Sequence, residues 1–215
     1  MSTAFRIKDV RVWIVSKSSK GGDYFNQGAG EHWLVDSQIS NPMSSYADYR
    51  DKRVSWGIGV LGSILVEIEA EDGTVGLATG TGGVPAAWLI AHHFSRFLVG
   101  QDARRVNLIW DQLYRASLPY GRKGIPIMAI SAVDLALWDL QGKVRGEPVY
   151  NLIGGLCRDE ISFYCTGPQA GAIKEMGFWG AKVPLPHGPS EGPEGLQRNV
   201  AFLHRHRQEV GAGFP

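Results

Sequence analysis

Apolar and polar positions alternate early in the chain and then give way to longer periods. Ile7, Val10, Val12 and Ile14 recur in partial alternation between Phe5 and Val15, which predicts a strand. Ser63–Ala70 and Thr74–Thr79 are a second alternating pair. Ile64, Val66 and Ile68 fall on one face there, and Glu67 and Glu69 on the other. The Glu71-Asp72-Gly73 between them predicts a hairpin, because glycine accepts positive φ at little cost. A helical period follows over Ala86–Val99, over Val106–Leu118 and, most clearly, over Pro126–Val144. Lys143 and Arg145 suit the negative end of that last helix dipole, and Gly146 and Pro148 stop it. After Gly155 the rhythm changes. Glu160–Cys165 reads as a strand, Gly171–Gly177 as a helix, Gly180–Val183 as a strand and Glu194–Glu209 as a helix, the β-α-β-α order of a parallel sheet or barrel. A boundary is expected at the glycine-rich Tyr120–Gly124, giving regions 1–124 and 125–215.

One stretch has no period. Ser16–Ser55 is rich in Gly, Ser, Asp and Asn, with Tyr24, Phe25, Trp33, Tyr46 and Tyr49 interspersed. Irregular segments of this length are functional loops or disordered, and the aromatics favour a loop that packs on something.

Composition narrows the classes. The chain has 215 residues, 44% hydrophobic and 20% charged, enough apolar material for a sizeable core. A net charge of +1 with scattered Lys and Arg argues against nucleic acid or a membrane surface as partner. The start, MSTAFRIKDVRVW, puts charges where a signal peptide needs its apolar run, and no segment reads as a bilayer span, so a cytoplasmic setting is expected. Cys157 and Cys165 have no C-x-x-C spacing and suggest neither zinc nor a disulfide framework.

Gly57-Ile58-Gly59-Val60-Leu61-Gly62 matches G-x-G-x-x-G, but it runs into the strand SILVEIEA rather than a helix, so no nucleotide site is read there. Asp134 and Asp139 are five apart on one helix and fall on different faces; capping or surface roles are expected. His92 and His93 diverge on their helix, and His204 and His206 share a polar helix with Arg205 and Arg207, where solvation is expected. His32, in Glu31-His32-Trp33, and Arg53, in Asp51-Lys52-Arg53, lie in the irregular stretch and could grip a carboxylate or hydroxyls. Lys182 ends the second strand of the β-α-β-α region, and strand C-termini face the active site in parallel barrels. The competing reading is a salt-bridged structural lysine.

The stretch AISAVDLALWDLQGKVRGEPVYNLIG, from Ala129 to Gly154, resembles the mandelate racemase/muconate-lactonizing branch of the enolase superfamily along its whole length. GGDYFNQGAGEHW from Gly21, NPMSSYADYR from Asn41 and KEMGFWGAKVP from Lys174 are similar to segments of acid-sugar dehydratases in that branch. The resemblance implies an α+β capping domain, a three-stranded antiparallel sheet plus helices, followed by the first two βα units of a (β/α) barrel. It implies Mg²⁺-assisted removal of water from a sugar acid, L-rhamnonate-like, to give a 2-keto-3-deoxy acid. Mg²⁺ on the carboxylate stabilises the enediolate, and a His–Asp pair moves the proton. His32 and Arg53 then match capping-loop substrate contacts, and Lys182 matches the lysine at the second barrel strand. Pro184 stands where racemases carry a second lysine, which disfavours lysine-based racemisation.

The resemblance also implies homo-oligomers, and it puts the three Mg²⁺ carboxylates and the catalytic His beyond Pro215. From this we expect no metal ligand and no catalytic base in the chain, an incomplete barrel, an unpaired edge on the Ala181–Val183 strand, and no dehydration by the chain alone. Other acid-sugar dehydratases, on fuconate or galactonate, and a non-catalytic binding or assembly module are the alternatives.

Overall fold

The computed structural model describes residues 3–15, 38–50 and 61–215. Among these, 3–15 and 61–157 form one compact unit, and 38–50 with 158–215 form a second.

The first unit is built on β1 (Ile7–Val15), β2 (Ser63–Ala70) and β3 (Val75–Thr81), paired antiparallel in that order. The register sets Val12 against Val66 and Glu67 against Leu77. Alternation sorts the faces as expected: Ile64, Val66 and Ile68 are fully buried, while Glu67 and Glu69 face the other way. There they meet Arg11, whose Nη2 lies 2.7 Å from Glu69, and Lys8, 2.6 Å from Glu69. Hydrogen bonds from Lys8 and Arg11 hold the Glu69 carboxyl below the usual range. Gly73 closes the β2–β3 hairpin at φ +89°.

Three helices cover the buried face. Helix α1 (Gly83–His92) ends earlier than the expected Ala86–Val99 span, and a 3₁₀ turn over Phe94–Phe97 follows. Leu98 and Val99 both donate to the Ser95 carbonyl, which tightens the chain while Phe94 and Leu98 remain fully buried. Helix α2 spans Val106–Ser117 and helix α3 spans Ile125–Arg145. Pro126 sits in the first turn of α3, where its missing N–H has no cost. Gly146 ends it at φ +67°, its N–H reaching the Gly142 and Lys143 carbonyls. By length and composition α3 could cross a membrane, contrary to the reading above, but its buried residues pack on the sheet instead. Those packing contacts also assign α3, which begins at the boundary expected near 124, to the first unit.

The contact of α3 with β3 is close. A Cβ built on Gly76 would lie 2.2 Å from the Ala136 carbonyl oxygen and 2.6 Å from Leu140 Cβ, and one on Gly80 would lie 2.8 Å from Ala132 Cβ. Strand β3 is an edge strand, and the helix uses that proximity to satisfy it. The Leu77 N–H donates to Asp139 Oδ2 at 2.7 Å, and Lys143 Nζ donates to the Val75 carbonyl at 2.9 Å. Asp139 and Lys143 are themselves paired at 2.6 Å. Asp139 is thus a structural carboxylate that serves the strand edge.

A four-residue helix α4 (Val149–Leu152) follows, before the second unit resumes. There β4 (Tyr164–Thr166) and β5 (Gly180–Lys182) pair parallel, with α5 (Ala170–Glu175) between them and α6 (Gly192–Val210) after them. This is the expected pair of βα units, although β4 is shorter than Glu160–Cys165 because residues 158–163 make no ladder. The outer edge of β5 is not bare: the Ala181 N–H donates to the Pro215 carbonyl at 3.0 Å. Residues 38–50 carry two 3₁₀ turns, Pro42–Ser45 and Ala47–Tyr49. Asn41 caps the first, accepting from the Met43 N–H at 2.9 Å.

Two substitutions test the packing of α3. Gly76→Ala forces the helix off the strand and is expected to cost about 1–3 kcal/mol, typical of overpacking, read as a lower urea midpoint. Asp139→Ala leaves the Leu77 N–H without its acceptor and is expected to cost about 1–3 kcal/mol, with unchanged far-ultraviolet circular dichroism at low temperature. A midpoint unmoved in either variant contradicts the close-packed edge described here.

Candidate functional site

In the β4–β5 pair, successive side chains take opposite faces. Ala181 and Val183 line a cleft of about 420 Å³ with Val200, Leu203 and Val210 of α6, so they face the helix layer. Lys182 therefore lies on the opposite face. The register puts Thr166 beside Lys182 and Tyr164 beside Gly180, so Tyr164, Thr166 and Lys182 share that face. In a βα architecture this is the side away from the covering helices, and Thr166 and Lys182 stand at the C-terminal ends of their strands, where a barrel places its chemistry. Lys182 is exposed, and its ammonium has no ion-pair partner among the described residues, which counts against the structural-lysine reading. Thr166 was missed from sequence. Its only signal was its place at the end of the strand preceding Lys182, which becomes informative once the parallel register is known.

Beyond β5 the chain enters a loop fixed by buried polar groups. Glu191 is only 3% exposed at its side chain. It accepts from the Gly188 N–H at 3.1 Å and lies 2.8 Å from His187 Nδ1. Burial pushes its carboxyl up, but the bonds from His187 and Gly188 and the charges of His187 and Arg50 outweigh it, and the net direction is down. Asn199 of α6 brackets the His187 backbone, accepting from its N–H at 3.1 Å and donating to its carbonyl at 2.8 Å. The 38–50 segment docks on this loop. Ser190 Oγ donates to the Ser44 carbonyl at 3.1 Å, and the Ser40 N–H donates to the Leu185 carbonyl at 2.9 Å. Gly188 allows the approach, since a Cβ there would lie 2.4 Å from Ser40 Oγ.

The other candidates fall out as follows. His32 and Arg53 lie outside the described residues, as does most of the Gly57–Gly62 motif; the chain after Gly62 enters strand β2, as a non-nucleotide reading requires. His92 packs against Trp88, and His93 Nδ1 lies 2.6 Å from Tyr120 Oη. Burial, with the charge of Arg96, holds His93 below its usual range. His204 is exposed, but His206 is not solvated as expected: its side chain is 17% exposed, its ring meets Phe202 edge-on, and Nδ1 lies 3.5 Å from Glu209 Oε2. Asp134 has its carboxyl raised by burial. Cys157 and Cys165 are free thiols. Among the described residues no group of three or more His, Cys, Asp or Glu converges to hold a metal ion.

Comparison with known proteins adds to this geometry. The profile described as "Mandelate racemase / muconate lactonizing enzyme, N-terminal domain" matches residues 60–154. The chain is 52% identical over 209 residues to a Caldivirga maquilingensis protein named as a candidate L-rhamnonate dehydratase, covering 97% of this chain and 52% of that one. A crystal structure of L-rhamnonate dehydratase from Gibberella zeae superposes with a TM-score of 0.87 at 56% identity, over 98% of this chain and 50% of that one. A second Gibberella zeae structure, complexed with Mg, gives 0.89 at 59% identity, over 98% and 52%. The chain thus spans about half the length of the relatives it matches. Both solved structures superpose over nearly the whole chain, and residues 60–154 carry the N-terminal domain of the mandelate racemase/muconate lactonizing enzyme family.

Proposed function

We propose that this chain is the sugar-acid-recognising half of an Mg²⁺-dependent dehydratase that converts L-rhamnonate to 2-keto-3-deoxy-L-rhamnonate and water. The observation that carries the reading is sequence identity of 52% held over 97% of the chain. Coverage that complete takes in the irregular segment as well as the scaffold, and loops carry specificity where scaffolds carry only fold.

The roles follow from charge and position. Arg53 presents a planar fork that suits the substrate carboxylate. His32 serves the hydroxyls as a donor or acceptor. Lys182, on the open face of β5 beside Thr166, adds a positive charge to the same anionic ligand. We assign this chain binding and orientation, and by its resemblance to the family expect the Mg²⁺ carboxylates and the proton-transfer base on residues that follow these in the full-length relatives.

A titration of the purified chain with L-rhamnonate, L-fuconate and D-galactonate, followed by calorimetry, tests the reading. L-Rhamnonate is expected to bind most tightly, and His32→Ala, Arg53→Ala and Lys182→Ala each to weaken it by about tenfold, the value of one hydrogen bond. Lys182→Ala is expected to leave the unfolding free energy from urea titration within about 0.5 kcal/mol of wild type, as for an exposed side chain. Preference for another sugar acid moves the substrate assignment, and no binding to any of the three ends it. Mg²⁺-dependent turnover by the chain is expected to be undetectable; turnover refutes the division of roles proposed here.

A further inference from the structure

The polar cluster around Glu191 is more elaborate than loop closure requires. Glu191, Gly188 and His187 form one half of it and Asn199 the other, and all lie within the second unit. Its outer surface carries the two hydrogen bonds to residues 38–50, through Ser190 and Leu185. Arg50, at the end of that segment, contributes its charge to Glu191 and donates to the Ser44 carbonyl. Arg198 of α6 lies 3.8 Å from Glu191 and 3.7 Å from Glu194. In sequence, residues 38–50 join position 32 to position 53.

We propose that Glu191 is a positioning residue: it fixes the loop after β5 as a dock for residues 38–50, the segment that in sequence joins His32 to Arg53, and through that dock supports the sugar-acid binding assigned to those two residues. The last clause rests on the sugar-acid reading above. The physical case is that neither docking bond involves an apolar anchor. Both depend on the Leu185–Glu191 backbone keeping its shape, and that shape is held by Glu191 and Asn199 alone among the buried polar contacts described. The groups facing Glu191 are His187 in its own loop, Arg198 on α6 and Arg50 on the docked segment. All three can carry positive charge, so the ionised carboxylate is the form that holds the dock. Its folded pKa is depressed, so its contribution is complete above the ordinary carboxylate value of about 4.3 and is lost as pH falls through the lower folded value.

Hydrogen exchange of the chain, read by mass spectrometry on peptides, tests this. In Glu191→Gln, exchange over residues 39–50 is expected to rise by about tenfold or more, the cost of losing a charge-assisted hydrogen bond, with β1–β3 unchanged. Unchanged exchange over 39–50 overturns the proposal. So does an equal rise across 158–215, which makes Glu191 a general stability residue. Where Glu191→Gln fails to fold, Ser190→Ala replaces it: it removes only the bond to Ser44, and its expected rise is confined to 39–50. In wild type, intrinsic-rate-corrected exchange over 39–50 is expected to rise as pH falls below the ordinary carboxylate range, and a flat profile overturns the proposal. L-Rhamnonate affinity separates the two readings. If wild type binds, Ser190→Ala is expected to weaken binding at an unchanged urea midpoint. If wild type does not bind, the sugar-acid reading fails and the exchange data still decide whether Glu191 holds the dock.

Discussion

The closeness of helix α3 to strand β3 governs the first unit. Two backbones can approach this far only where side chains are nearly absent on the strand and small on the helix. Gly76, Ala78 and Gly80 supply the first condition, and Ala129, Ala132 and Ala136 the second. The gain is dispersion contact along a long buried stripe, together with the removal of apolar area from water. The same approach lets short and long polar side chains of one helix face, Asp139 and Lys143, reach the free edge of the sheet. A strand edge is a liability for aggregation, and here it is answered from within the family's signature helix. Asp139 of that helix therefore belongs to folding.

Much of this was legible in the sequence. The alternation of Ile64, Val66 and Ile68 with Glu67 and Glu69 gave the sheet its faces, and Asp72-Gly73 gave its turn. The helix from Ile125 to Arg145 announced itself by period and by its Pro and Gly ends. The break after His92 was not legible, because Phe94, Phe97 and Leu98 keep a helical spacing that 3₁₀ geometry also satisfies. The membrane-like hydropathy of α3 could not be separated from core burial without knowing what packs on it. At the candidate site, Lys182 was legible from its strand end. Thr166 was not, since only the parallel register sets it beside Lys182.

Long-range polar contacts were the least legible. Nothing in the local pattern around Glu191 says that it will be buried, that Asn199 will bracket His187, or that residues 38–50 will return to the same loop. Each contact joins positions distant in sequence, and polar residues leave no periodic trace of a partner. His206 shows the same limit: a histidine between two arginines on a polar helix reads as solvated, yet Phe202 covers its ring.

The two units are stabilised by different physics, and this bears on function. The first has a continuous apolar core, from Ile7 through Leu140, to which β1–β3 and helices α1–α3 all contribute. The second buries few apolar side chains, Ala170, Ile173 and Val210, and leaves Leu196, Val200 and Leu203 of α6 exposed. Its order rests more on hydrogen bonds and on buried carboxylate and amide groups, which are directional and lost together when one partner goes. A close-packed apolar core has few alternative arrangements and makes a rigid scaffold. A loop held by Glu191 and Asn199 can open locally without disturbing that scaffold. Segments that admit and select a ligand are drawn from this second kind of structure, and residues 38–50 are attached to it.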